Sequence, residues 1–240
     1  SSYRWATIQQ QIAPLQFSRI QLSRNIAAKT ITGSTENIQT LKLAVGQFGK
    51  GSSITITLDS LAPLRYSTNS AEDSIWLQKQ NGQWQIAAAP GAEQKGPQRY
   101  GTFKEAFNHN MVFVYGTKGN KAENEWAFNK ARYGAETWYY RGNGAVDIIA
   151  DKEYNTSEYA GRNVIIYGNA STNSAWSLLL NDSPVQVSRN HVSAGANAWS
   201  GDDLAVYFTR PIKNSPMNAV GVVAGTGLKA MNAANANQYF

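Results

Sequence analysis

Val112-Phe113-Val114-Tyr115-Gly116-Thr117 is an apolar β run that stops on a glycine turn, and the chain repeats the phrase twice. The later copies are Val164-Ile165-Ile166-Tyr167-Gly168-Asn169 and Val220-Gly221-Val222-Val223-Ala224-Gly225-Thr226-Gly227. Each reads as a strand buried on both faces that turns sharply at its carboxyl end, with Thr or Asn placed to cap the next element. This is the pattern of an open α/β sheet, where ligands sit beside the carboxyl ends of the strands. The copies are unevenly spaced, so they read as convergent strand ends and not as a repeat.

Between the first two copies the spacing predicts a helix. Ala122-Glu123-Asn124-Glu125 opens it with acids, which suit the positive end of the helix dipole. Trp126, Lys130, Tyr133 and Thr137 recur every three or four residues, as do Ala127, Ala131 and Trp138. Arg141-Gly142-Asn143-Gly144 closes it with a cation and glycines. Strands are then expected at 146–149, 164–168, 185–187, 204–208 and 218–223. Helices are expected at 172–180 and after Gly227.

The first 95 residues read as β instead. Segments 19–23, 41–45 and 54–58 alternate apolar and polar side chains. Residues 75–79 and 83–86 flank Gln80-Asn81-Gly82, and Asn-Gly supplies the positive φ angles of a tight hairpin turn. Residues 87–101, with Pro90, Gly91, Gly96, Pro97 and Gly101, form the linker. The expected architecture is a β-rich module over 1–95, then an α/β doubly wound domain over 96–240. In fold terms this is a flavodoxin-like three-layer open sheet preceded by a small β-sandwich-like module.

Composition narrows the function classes. Apolar residues at 42% with 16% charged residues describe a folded chain and not a disordered one. No apolar run approaches the roughly 20 residues that span a bilayer, so no membrane span is expected. The net charge is +6, but it is dispersed: residues 1–95 hold nine Lys/Arg against five Asp/Glu, and residues 96–240 hold thirteen against eleven. No basic block marks a nucleic-acid interface. The absence of cysteine removes disulfides, thiolate metal sites and cysteine catalysis, and suits an exported bacterial protein.

No complete catalytic constellation is visible. The glycine turns place Thr117, Asn169, Thr226 and Gly227 where an anion could bind, although turns of this kind need glycine and a cap in any case. Asp202 and Asp203 could bind a metal or act as acid and base, yet neighbouring strand residues point to opposite faces. The two histidines, His109 and His191, lie in turn-like contexts. A hydrolase acting alone would draw on Asp202 or Asp203 and on His191, with Ser171, Ser174 or Thr226 as nucleophile, but no Gly-x-Ser-x-Gly is present. Trp76 and Trp84 flank the hairpin turn and could form a sugar-stacking platform or a cross-strand aromatic pair. Neither a metal nor a cofactor site is expected.

Four segments carry a family resemblance: Tyr100-Gly101-Thr102-Phe103-Lys104-Glu105-Ala106-Phe107 followed by 113–117, then 135–144, 163–169 and 221–227. Over about residues 95–235 the chain resembles a region of large bacterial secreted hydrolases, esterases or peptidases of the prolyl-oligopeptidase and α/β-hydrolase type. In those proteins the segment follows the hydrolase domain, with a β-rich stretch between. The family's nucleophile motif would lie outside this chain, so the resemblance carries over no catalytic residue. It implies a secreted or periplasmic accessory portion whose partner is a hydrolase domain of the same polypeptide or of a companion chain. The apolar ending Asn237-Gln238-Tyr239-Phe240 reads as a truncation.

Overall fold

Hydrophobic alternation builds the first half of the chain and continuous hydrophobic runs build the second. A computed structural model describes residues 2–70, 73–92, 94–97, 99 and 101–237; Tyr100 of the resemblance and residues 238–240 of the apolar ending lie outside the described residues. The chain divides into two compact units, Ser1–Tyr100 and Gly101–Phe240.

The first unit holds β1 (Ser2–Tyr3), β2 (Ala6–Gln11), β3 (Arg19–Asn25), β4 (Thr30–Glu36), β5 (Ile38–Ala44), β6 (Ser53–Leu58), β7 (Leu64–Ser67), β8 (Ser74–Gln80) and β9 (Gln83–Ala87). They form a sheet in the order β1-β2-β5-β8-β9 and another in the order β3-β4-β6-β7. Period-two alternation puts Ile54, Ile56 and Leu58 of β6 inward, and cross-strand pairs Leu41–Leu77 and Leu43–Ile75 meet them in one shared core. The Asn81–Gly82 turn has φ of 49° and 76°, the geometry that the Asn-Gly reading requires. Register shifts between Ile8 and Gln11 interrupt the β2–β5 pairing just before the chain leaves β2.

The second unit holds β10 (Met111–Tyr115), α1 (Lys121–Gly142), β11 (Asp147–Ala150), β12 (Asn163–Tyr167), α2 (Ala175–Leu179), β13 (Val185–Ser188), β14 (His191–Ala194), β15 (Asn197–Ser200), β16 (Ala205–Pro211), β17 (Ala219–Gly225) and α3 (Leu228–Ala233). The main sheet runs β11-β10-β12-β17-β16; its first four strands are parallel and β16 is antiparallel. Asn120 and Glu123 form a reciprocal capping box at the start of α1. At its other end Asn143, and not a glycine, takes the left-handed conformation.

The unit is α/β only in part. On one sheet face α1, α3 and a 3-10 turn at Phe103–Phe107 bury Trp126, Ala131, Met231 and Phe107 against Phe113, Ile165 and Tyr167. On the other face the cover is Tyr154, the five-residue α2 and the β13-β14-β15 meander, against Val112, Val114, Val164 and Ile166. The link from β11 to β12 has only a 3-10 turn, Asp151–Glu153. Its Asn155-Thr156-Ser157 and Gly161 offer no apolar face for a helix to bury.

Glycine serves close approach in these turns as much as backbone bending. A Cβ on Gly116 would run into the Thr172 carbonyl oxygen, and one on Gly225 would sit 2.6 Å from the Met231 nitrogen. Of the three strand-end glycines, only Gly168 (φ 123°) needs a conformation that side chains disfavour.

Candidate functional site

The chain leaves β10 toward β11 on one side and leaves β12 toward β17 on the other. The carboxyl ends of these two adjacent strands therefore form a topological switch point, the usual place for a ligand crevice. Four loops meet there: the segments after β10, β11, β12 and β17.

Asp151 is the centre of this region, although no recognised motif includes it. It follows β11 directly and is 2% exposed. Its Oδ1 accepts from the Thr117 amide (3.1 Å), the Thr117 hydroxyl (2.6 Å) and the Lys152 amide (3.0 Å). Its Oδ2 accepts from the Ser174 amide (2.5 Å) and hydroxyl (2.9 Å). One buried carboxylate thus gathers five donors and clamps the β10 and β12 loops together.

Fully buried Asn169 donates to the Gly225 carbonyl (2.7 Å) and accepts from the Ser171 amide (2.9 Å). Asn173 donates to the carbonyls of Val114 (3.0 Å) and Tyr167 (3.1 Å). Thr226 accepts from the Leu204 amide (3.1 Å). Gly227 precedes the six-residue α3 and lies against the main chain of Asp202. The side chains of Thr117, Asn169 and Thr226 are therefore bonded to the protein's own groups.

Glu123 of α1 is 4% exposed and takes a two-pronged bond from Arg189, Nε to Oε1 at 3.0 Å and Nη2 to Oε2 at 2.6 Å. Those bonds, against the opposing effect of burial and with help from the Asn120 amide, hold its carboxyl below the ordinary range. The same bonds raise Arg189. Arg189 lies in the β13–β14 turn, 66 residues from Glu123, and its side chain remains 45% exposed.

The other sequence candidates do not converge. Ser171 accepts from the Arg189 amide at 3.3 Å. His191 is exposed at the start of β14, and Ser200 lies opposite it across the pairing with β15. Asp203 pairs with Lys229 at 3.2 Å in solvent, and Asp202 is exposed beside it. His109 is exposed in a left-handed turn. No hydrogen bond among the described residues joins a histidine to Ser171, Ser174, Thr226, Asp202 or Asp203. No group of three or more His, Asp or Glu among the described residues is placed to hold a metal ion.

Trp76 and Trp84 are separated by the pleat. The β8–β9 register pairs Trp76 with Ala87 and Trp84 with Lys79, which sets the two rings on opposite faces. Trp84 is in the core and donates to Asp59 at 2.9 Å, while Lys42 covers the Trp76 ring at 5.1 Å. A joint sugar platform is not formed, because an even–odd offset across the hairpin divides the pair.

No protein-family model matches the chain, and no curated protein matches it. Among the described residues no helix is long and apolar enough to cross a membrane.

Proposed function

We propose that this chain is a non-catalytic accessory portion of a larger secreted bacterial hydrolase of the esterase or peptidase type. Its role is to pack on, or shape access to, a serine-hydrolase domain outside this chain. The observation that carries the reading is the closed strand-end network. Asp151, Thr117, Ser174, Asn169 and Thr226 are bonded to one another or to backbone, and among the described residues no histidine hydrogen-bonds to any of these hydroxyls. A nucleophile needs a hydrogen-bonded base, and that base an orienting group.

The sequence resemblance supplies the hydrolase class. In the same reading, the second unit is a flavodoxin-like three-layer sheet with the final strands exchanged and one helical layer replaced, and the 2-1-3 start of the parallel order supports it. The first unit is read as a small β-sandwich-like module, and the core shared by its two sheets supports this. Secretion or a periplasmic location belongs to the same proposal.

The test pairs two measurements. The intact mass of the product of the undivided gene, purified from its source, is expected to exceed the 26.3 kDa of this chain. A fluorophosphonate probe is expected to label no serine within residues 1–240.

A second reading keeps hydrolysis within this chain and rests on Ser174, whose hydroxyl lies 2.9 Å from a buried carboxylate. Stoichiometric labelling of Ser174, lost in Ser174→Ala, supports that reading and overturns the first.

A further inference from the structure

We propose that the loop at residues 12–17 of the first unit inserts its apolar tip into an anionic phospholipid surface. Leu15 and Phe17 are 104% and 95% exposed, and Ile12 is 57% exposed. Leaving three large apolar side chains in water on one six-residue loop is costly unless another phase receives them.

The loop is braced. The Asn37 side chain accepts from the Ala13 amide (2.8 Å) and donates to the carbonyls of Ala13 (3.0 Å) and Gln16 (3.3 Å). Gln11 donates to the Gln16 carbonyl (3.0 Å) and the Ser18 hydroxyl (2.6 Å). Leu15 is held at φ 60°, a left-handed conformation that a leucine rarely adopts. The tip is therefore presented outward by specific bonds.

Charge selects the partner. No charged residue occurs between Arg4 and Arg19, so the tip itself is uncharged, and Arg19 follows it at the start of β3. Lys95 lines the cleft of about 740 Å³ beside Ile12, Pro14 and Phe17, whereas Arg99 of the same lining is buried. Glu36 is the acid that borders the loop, and Arg19 stands opposite it on β3. Over residues 1–100 ten Lys/Arg face five Asp/Glu, a net +5 out of the chain's +6. An apolar tip on a cationic body matches an anionic lipid interface, which attracts basic groups and absorbs leucine and phenylalanine. A protein partner fits less well, since a stable interface engages roughly 20–30 residues a side and demands a matching socket. With no spanning helix among the described residues, the contact is peripheral.

The experiment is co-sedimentation of the whole chain with phosphatidylcholine vesicles, with and without about 30% phosphatidylglycerol. Binding is expected with the anionic vesicles, weakening as salt is raised and falling about tenfold or more in L15N/F17Q. Leu178→Gln, which removes an exposed leucine of the second unit, is the control and keeps full binding. A thermal melt of L15N/F17Q that matches the parent shows the loss is local. Absence of anionic-vesicle binding overturns the proposal, as does equal binding by L15N/F17Q. Self-association that L15N/F17Q abolishes, without vesicle binding, assigns the loop to a protein contact and also overturns it. None of these outcomes depends on whether the chain serves a hydrolase.

Discussion

Two loop regions of this molecule are built on opposite plans. At the strand ends of the second unit, Asp151 and its neighbours consume their donors and acceptors on one another. At residues 12–17 of the first unit, backbone groups of Ala13 and Gln16 are bonded by Asn37 and Gln11, while the side chains of Leu15 and Phe17 stand almost wholly in solvent. The crevice that topology would offer to a ligand is sealed by hydrogen bonds, and the surface with unmet affinity is a hydrophobic tip elsewhere. A switch point marks where a site can be built, and whether one exists depends on which groups remain free.

The sharpest way to break the comparison is Asp151→Ala. It leaves the part-buried amides and hydroxyls of Thr117 and Ser174 without their shared acceptor, at a cost of about 3 kcal/mol or more. A urea titration followed by circular dichroism is expected to show a large drop in midpoint. An unchanged midpoint would mean the strand-end loops are not held closed by this carboxylate.

Next in size is Asp59→Ala in the first unit. Burial alone would push the Asp59 carboxyl up, but bonds from Trp84 (2.9 Å), Lys79 (3.0 Å) and Thr35 (2.6 and 2.8 Å) outweigh it and hold it below its ordinary value. Asp59 is also in the left-handed region at φ 55°, where alanine fits poorly. Together these give a loss of about 3 kcal/mol by the same titration. Asp59→Asn, which tolerates the backbone, is expected to lose less than the alanine variant.

The parts legible in the sequence were those with strong local signals. Continuous apolar runs located β10, β12 and β17, the acids and period of 3–4 located α1, and Asn-Gly located the β8–β9 hairpin. Strands β1, β2, β4, β7, β14 and β15 escaped because they are short or because segments such as Thr30-Ile31-Thr32-Gly33-Ser34-Thr35-Glu36 carry too few apolar residues to show a period. The helix expected at 172–180 shrank to α2 because Thr172 and Asn173 serve as loop bonds. Tyr133 fits the helical spacing yet is 52% exposed, since spacing finds a stripe but not its edge. Of the site, the strand-end positions Thr117, Asn169 and Thr226 were visible, but their bonding was not. Asp151 had one available signal, an acid directly after an apolar strand. Glu123 and Arg189 meet across 66 residues, a contact no local pattern encodes. The exposure of Leu15 and Phe17 was equally hidden, because isolated apolar residues read as core until the fold turns them outward.

Breaking the Glu123–Arg189 pair tests the second unit from its outer side. Arg189→Ala leaves a buried carboxylate without its main partner, but the half-exposed guanidinium limits the loss to about 1–2 kcal/mol. The pH dependence has a definite sign. Glu123 is held below its ordinary value of 4.5 in the folded state, so its stabilisation is present above that pH and is lost as pH falls through the lower folded value. Thermal midpoints taken from pH 7 downward are expected to fall in this acid window for the parent. In Arg189→Ala the acid-dependent part of the fall is expected to shrink, and a parallel fall in both proteins would place the acid sensitivity elsewhere.

The smallest effect has the opposite sign. Leu15 is held in a left-handed conformation with its side chain in solvent, so Leu15→Gly removes backbone strain and sacrifices no packing. Glycine gives back part of that gain through the greater freedom of the unfolded chain, leaving a net stabilisation of about 0.5 kcal/mol. A native leucine that weakens its own fold is consistent with a tip kept for contact and not for stability. The informative result is the pair of measurements on one variant: a thermal midpoint equal to or above the parent's, with weaker retention by anionic vesicles. If Leu15→Gly instead melts several degrees lower, the leucine is contributing packing to the unit, and the contrast between a sealed crevice and an open tip loses its second half.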